Sequence, residues 1–144
     1  MIRKDVNMKK KAIISISSNQ EVDKDDLIEV ITPGEFYHDV NGFHASYDET
    51  EISGMEGTRT RLLIQQDKFM LEREGTTSTQ MEFKKNNESL SLYNTPYGML
   101  ELKIHTKDLK VDVDENGGEI FVNYNLSIGG QKPQTTELRI KIKA

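Results

Sequence analysis

The chain contains no cysteine. That excludes a disulfide framework and any zinc site built on thiolates. It has only three histidines, His38, His44 and His105, and no tryptophan. No apolar run approaches the roughly 20 residues that a membrane-spanning helix needs. Basic residues are in the minority, 19 Lys and Arg against 24 Asp and Glu, for a net charge of -5. An acidic chain is a poor partner for nucleic acid, whose affinity rests on neutralising phosphates. Only 35% of the residues are hydrophobic, a fraction that suits thin elements with one wet face.

What positive charge there is gathers at the start. Arg3, Lys4, Lys9, Lys10 and Lys11 stand against Asp5. The apolar stretch behind them, Ala12-Ile13-Ile14, is far shorter than the about 7–15 residues of a signal-peptide core. The expectation is a solvated basic tail over 1–11, a single β domain over 12–144, and a cytoplasmic location.

From Ala12 onward the dominant period is two, the strand period. Ala12, Ile14 and Ile16 alternate with polar positions, as do Thr58, Thr60, Leu62 and Ile64, then Phe69 and Leu71. Met81 and Phe83, Leu90 and Leu92, Leu100 to Ile104, Leu109 to Val113, Ile120 to Ile128 and Leu138 to Ile142 follow suit. Only the acidic segment Glu21 to Glu29 suggests a short helical turn. Asn41-Gly42 and Asn116-Gly117 read as two-residue hairpin turns, and Asn86-Asn87 as a weaker one. Thr95-Pro96-Tyr97-Gly98 has turn chemistry with Pro where φ is preset.

Each turn predicts a register. A tip at Gln66-Asp67 sets Ile64 opposite Phe69, Leu62 opposite Leu71 and Thr60 opposite Arg73. The other face then pairs Arg61 with Glu72 and Arg59 with Glu74. A tip at Asn41-Gly42 sets Asp39 opposite His44 and leaves Val40 facing inward. A tip at Asn86-Asn87 sets Phe83 opposite Leu90 and Met81 opposite Leu92. A tip at Asn116-Gly117 sets Val113 opposite Ile120 and Leu109 opposite Tyr124. Successive hairpins of this kind make a long meander, and closure removes its exposed edges. The predicted fold is all-β, an antiparallel up-and-down barrel of eight to ten strands.

Tyr47-Asp48-Glu49, Gly54, Thr58, Arg73-Glu74-Gly75, Met81-Glu82-Phe83 and Tyr93-Asn94-Thr95-Pro96-Tyr97-Gly98 resemble the bacterial YwiB-like family. The resemblance runs from about Ala12 to Ile142, with the Tyr-x-Thr-Pro-Tyr-Gly segment its most specific part. It implies a lipocalin- or calycin-like barrel in a bacterial cytoplasm. It brings no catalytic residues and no cofactor.

The chemistry-bearing residues point away from catalysis. His38 and His44 fall on opposite faces of their hairpin and His105 points outward, so no three ligands converge on a metal. No Gly-x-Ser-x-Gly elbow, phosphate loop or cofactor motif is present. The acidic stretches read as solvated faces.

Arg73 is the unusual residue. Its phase with Phe69 and Leu71 puts it inside, where an unpaired charge is costly. Glu49, in phase with Phe43, Ala45 and Tyr47, is the predicted partner. Alternate ends of the meander then differ. One gathers apolar Val40, Phe43, Ile64, Phe69, Phe83 and Leu90. The other gathers Tyr47, Glu49, Thr58, Thr60, Arg73 and Asn94. Tyr124, in phase with Ile120 and Val122, adds a phenol to the interior, and Tyr93, Thr95, Pro96, Tyr97 and Gly98 form a mouth loop. A greasy floor below a polar mouth suggests a non-enzymatic binding barrel for a small, anionic, partly apolar ligand. The competing expectation is a filled barrel sealed by an Arg73–Glu49 pair, with partners on its outer wall. Leu63, Met70 and Phe121 fall on the outward phase and mark a homodimer surface; neither a nucleic acid nor a membrane is expected as partner.

Overall fold

The computed structural model describes residues 9–20, 23–51, 55–76 and 78–144, the side chains of Gln20 and of residues 23–27 excepted. Ten antiparallel strands run in chain order: β1 (Lys10–Gln20), β2 (Asp23–Asp39), β3 (Gly42–Asp48), β4 (Arg59–Ile64), β5 (Phe69–Glu74), β6 (Thr79–Phe83), β7 (Glu88–Thr95), β8 (Gly98–Asp114), β9 (Gly117–Ile128) and β10 (Gln134–Lys143). They form one sheet in the order β6-β5-β4-β3-β2-β1-β10-β9-β8-β7. Neighbours in sequence are neighbours in space, and the first strand pairs with the last, Ile14 opposite Ile142 and Ser18 opposite Leu138. The meander therefore closes on itself, except at a seam between β6 and β7. Among the described residues, two backbone hydrogen bonds between Ser78 and Asn94 cross that seam at one end, and the Asn87 N–H donates to the Lys84 carbonyl in the turn at the other. Near the other end Ser89 Oγ donates to the carbonyl of Glu82. Among the described residues no helix is long and apolar enough to cross a membrane.

Several expectations are corrected here. Strand β1 begins at Lys10, where that residue already pairs with Phe36, so the basic segment is not all tail; residues 1–8 lie outside the described part. The acidic stretch expected to turn as a helix is instead strand β2 from Asp23, with Glu29 opposite Ser17; residues 21 and 22 are not described. Pairing with β1 overrides the weak local preference.

The Gln66-Asp67 hairpin has the predicted register throughout, from Ile64 opposite Phe69 to Arg59 opposite Glu74. The two Asn-Gly hairpins keep their predicted faces but shift by two residues. Asp39 lies opposite Gly42 and Asp114 opposite Gly117, with Val40-Asn41 and Glu115-Asn116 as the turn residues. Val40 is thus a fully exposed tip residue and not part of the floor. The cause is the aspartate before each turn. Asp39 Oδ1 accepts the backbone N–H of Asn41, and Asp114 Oδ1 that of Asn116. Asp at the first position and Gly at the fourth favour a turn with negative φ in its centre. Among the described residues only Asn86 is a non-glycine with positive φ, whereas Gly42 and Gly117 carry φ of 135° and 109°.

The Asn86-Asn87 connection departs further. No ladder joins β6 to β7; the Asn86 N–H donates to the Thr106 carbonyl and the Thr106 N–H to that of Asn87, clipping the turn to β8 instead. Strand β7 takes its face from β8, with Ser91 opposite Leu102 and Tyr93 opposite Leu100. The result is an odd slip, and an odd slip turns every side chain over. Ser89, Ser91 and Tyr93 point in. Leu90, Leu92 and Asn94, expected inside, point out, with Leu90 and Leu92 64% and 58% exposed.

The two longest strands change partners along their length. Strand β8 pairs with β7 through His105 and with β9 through Asp114. A bulge between Thr106 and Asp108 moves its inward phase from Leu102 and Ile104 to Leu109 and Val111. Strand β2 pairs with β1 as far as Phe36 and with β3 only from Glu35 onward. Pro33, with no N–H to give, sits just before that hand-over. At Gly34 the strands come so close that a methyl group would overlap the Ser46 carbonyl oxygen and Ile14 Cδ1.

Inside, one end is solid. Phe36 stacks on Phe43 at 5.7 Å and Phe69 on Phe83 at 5.5 Å, and Phe83 meets Tyr124 edge-on at 4.8 Å. Ile14, Ile64, Ile104 and Ile120 fill the spaces between. We expect Gly34→Ala to cost about 1–3 kcal/mol by forcing two strands apart. Urea denaturation reads it as a lower midpoint, and an unchanged midpoint would show that this approach is not tight.

Candidate functional site

The connections β3–β4, β5–β6, β7–β8 and β9–β10 all lie at the other end, because alternate connections in a meander share an end. Below them a cavity of about 260 Å³ opens into the barrel. Its lining divides by strand. The registers place Tyr47 beside Thr60, Thr60 beside Arg73 and Arg73 beside Thr79. The Ser78–Asn94 bridge brings Tyr93 next, across the seam. Five consecutive strands, β3 to β7, therefore carry one polar row around the inside. The remaining strands, β8, β9, β10, β1 and β2, supply Leu102, Ile128, Leu138, Ile16 and Val30. The polar lining is concentrated on β3 to β7, with Ser18 and Tyr124 the polar residues supplied by the other strands.

Glu49 is buried above this row and accepts the hydroxyl hydrogen of Thr60. Arg73 Nε stands 3.7 Å from Glu49 Oε2, inside ion-pair range but beyond a hydrogen bond. That Nε is buried and has no hydrogen-bond partner. The side chain remains 22% exposed, and it lines the cavity. Thr60 thus fills one acceptor site of Glu49, and the Arg73 Nε–H remains buried without a hydrogen bond. Burial pushes the Tyr47 phenol far above the usual tyrosine range, and the Glu49 charge beside it pushes the same way. Burial likewise raises Tyr124, against the opposing field of Arg73.

The predicted site residues separate into groups. Arg73, Glu49, Tyr47, Tyr124 and Tyr93 all line the cavity. Thr60 lies behind it, holding Glu49. Thr58 is buried, its hydroxyl 2.8 Å from that of Thr76, and supports the β3–β4 connection without reaching the cavity. Asn94 is on the outer face. Thr95, Pro96, Tyr97 and Gly98 form the β7–β8 tip, where Thr95 Oγ1 accepts the Tyr97 N–H and donates to the Gly98 carbonyl. None of these four lines the cavity, and Tyr97 is fully exposed. Sequence reasoning missed Thr79 and the apolar wall. The signal for Thr79 was available, since it shares the phase of Met81 and Phe83.

On the outer wall, Arg61 bridges to Glu72 at 3.5 Å and to Glu74 at 3.7 Å. Arg59, expected to pair with Glu74, turns instead to Asp48 at 2.9 Å and Glu35 at 3.1 Å. Leu63 and Met70 are opposed as predicted. Phe121 is on β9, across the barrel from them, under the Arg139 guanidinium at 4.6 Å. The three residues therefore do not form one surface. His38 and His44 do point to opposite faces, His44 bonding Asp39 at 2.9 Å. Among the described residues no three potential metal ligands group together.

The raised tyrosines carry a pH dependence. A phenol whose folded pKa lies above its unfolded value of 10.0 keeps its proton longer in the barrel than in the open chain. Stability is then full below about pH 10 and falls as pH rises above it. We expect the tyrosinate absorbance of Tyr47 and Tyr124 to appear only as the barrel unfolds at alkaline pH. Tyr47→Phe with Tyr124→Phe should flatten that loss; reversible ionisation of both in a folded barrel would refute it.

The comparisons with known proteins agree with this fold. The family described as a domain of unknown function, DUF1934, matches residues 14–140. The chain is 28% identical over 130 residues to the "Uncharacterized beta-barrel protein YwiB" of Bacillus subtilis (strain 168), covering 90% of this chain and 87% of that one. The crystal structure of the ywiB protein from Bacillus subtilis aligns with a TM-score of 0.83 at 23% identity. That alignment covers 94% of this chain and 92% of that one.

Proposed function

The chain belongs to the DUF1934 family, a domain of unknown function, and from its own geometry we propose that the barrel is a binding module. Its ligand is a small molecule with an apolar body and an acceptor-rich, anionic end. One observation carries the reading: Arg73 Nε is buried at the cavity wall with no hydrogen-bond partner. An unmade hydrogen bond from a charged donor is expensive, and a guanidinium fork is suited to a carboxylate or similar oxyanion. The apolar half of the wall accounts for the rest of the ligand. At about 260 Å³ the cavity is slightly below the roughly 300–1,000 Å³ of most ligand pockets, so the ligand is small.

The test uses 1-anilinonaphthalene-8-sulfonate, a fluorescent aryl sulfonate, displaced by octanoate. We expect the probe to brighten on binding and octanoate to compete. Arg73→Met should weaken both by about tenfold or more, the worth of a charge-assisted hydrogen bond. Absence of any binding at millimolar octanoate would count against the module as a binder of this class.

A second reading has its own observation. Leu63 and Met70 share the outer wall with Leu90 and Leu92, beyond Glu82 on the intervening strand. Leu90 and Leu92 are mostly exposed, and exposed apolar side chains in a group mark contact surfaces. If this wall pairs with a second copy, sedimentation will show a dimer that Leu63→Lys with Leu92→Lys dissociates. A monomer at high concentration would remove self-association.

A further inference from the structure

Thr79 lies on the cavity wall next to Arg73. It is buried at 6% exposure, lines the cavity, and its Oγ1 has no hydrogen-bond partner. It lies directly opposite Arg73 on the neighbouring strand. The residues that carry these two unpartnered polar atoms, Arg73 Nε and Thr79 Oγ1, are thus paired across neighbouring strands, and both line the cavity. Neither arrangement is favourable for an empty barrel, because each group has left water without a replacement. A valine at 79 would have the same shape and none of that cost. An acceptor with two oxygens meets both at once, one oxygen on the guanidinium N–H and the other on the hydroxyl.

Glu49 narrows the chemistry. Its carboxylate already stands 3.7 Å from Arg73 Nε. One added negative charge leaves the cluster of Arg73, Glu49 and ligand at a net charge of minus one, and a phosphate dianion would leave it at minus two in a poorly hydrated site. Like charges held this close oppose one another strongly. Tyr47 and Tyr124, whose phenols feel the Arg73 charge, are held protonated by burial and bring no charge of their own.

The geometry points to a monocarboxylate as the ligand, its two oxygens shared between Arg73 and Thr79, with Thr79 the residue that selects the acid over an alcohol or a phosphate of the same chain. This inference rests on the binding reading above and adds to it the head group and its selecting residue.

The experiment measures displacement of the same fluorescent probe by octanoate, 1-octanol and octyl phosphate, on the unaltered protein and on Thr79→Val, Thr79→Ser and Arg73→Met. On the unaltered protein octanoate should bind more tightly than octyl phosphate. Thr79→Val should weaken octanoate by about tenfold, leave 1-octanol within about twofold, and raise the melting temperature of the ligand-free barrel. Thr79→Ser, which keeps the hydroxyl, should keep the preference for the acid. If Thr79→Val leaves octanoate unchanged while Arg73→Met weakens it, the role of Thr79 is wrong and the binding reading stands. Octyl phosphate binding as tightly as octanoate overturns the monocarboxylate assignment. If neither probe nor octanoate binds the unaltered protein, both readings fall together.

Discussion

A guanidinium on the inner face of a barrel has to be answered by something, and the open half of this molecule is arranged around that requirement. Arg73 is held inside by its strand phase between Leu71 and the β5–β6 connection, with Thr60 and Thr79 fixed on either side by ladder pairing. Glu49 answers part of its charge. Glu49 also accepts from Thr60, and at 3.7 Å its Oε2 does not hydrogen-bond the Arg73 Nε–H. A sealed barrel end would need that bond. What remains is a donor at the wall of a cavity, and the β-barrel supplies the apolar surface opposite it.

The seam between β6 and β7 belongs to the same account. Strand β6 is short, only Thr79–Phe83, and its far neighbour is bonded to β8 along its other edge. The polar row crosses the seam between Thr79 and Tyr93, next to the Ser78–Asn94 bridge. Elsewhere closure is continuous, and the pairing of β1 with β10 ties the two ends of the described chain into the wall. One end of the barrel is thus filled by packed aromatic rings, and the unpartnered polar groups lie on β5 and β6, beside the seam.

Much of this was legible in the residues. The β4–β5 register followed from a two-residue polar tip and gave Arg73 its inward face. The two Asn-Gly hairpins sit two residues from their expected register, since the preceding aspartates set a different turn; an even shift leaves faces intact, so the expected core on those strands holds except for Val40, which becomes a turn residue. At Asn86-Asn87 the shift was odd, and Leu90, Leu92 and Asn94 were placed on the wrong side. Local pattern does not reveal that β7 takes its register from β8. Nor does it reveal that Phe121 lies across the barrel from Leu63, because that depends on the cyclic strand order. Thr79 was overlooked because a threonine among apolar neighbours reads as filler until the residue opposite it is known.

The central claim is that Arg73 Nε offers an unused donor to the cavity, and nuclear magnetic resonance observes that proton directly. The Nε–H resonance of Arg73, assigned by its loss in Arg73→Lys, should shift progressively as octanoate is added, together with amides of β5 and β6. The Nε–H signals of Arg59 and Arg61, paired on the outer wall, should stay in place. An Arg73 signal that does not move, while amides near Leu90 and Leu92 do, would contradict the account and move the functional surface to the outside of the barrel.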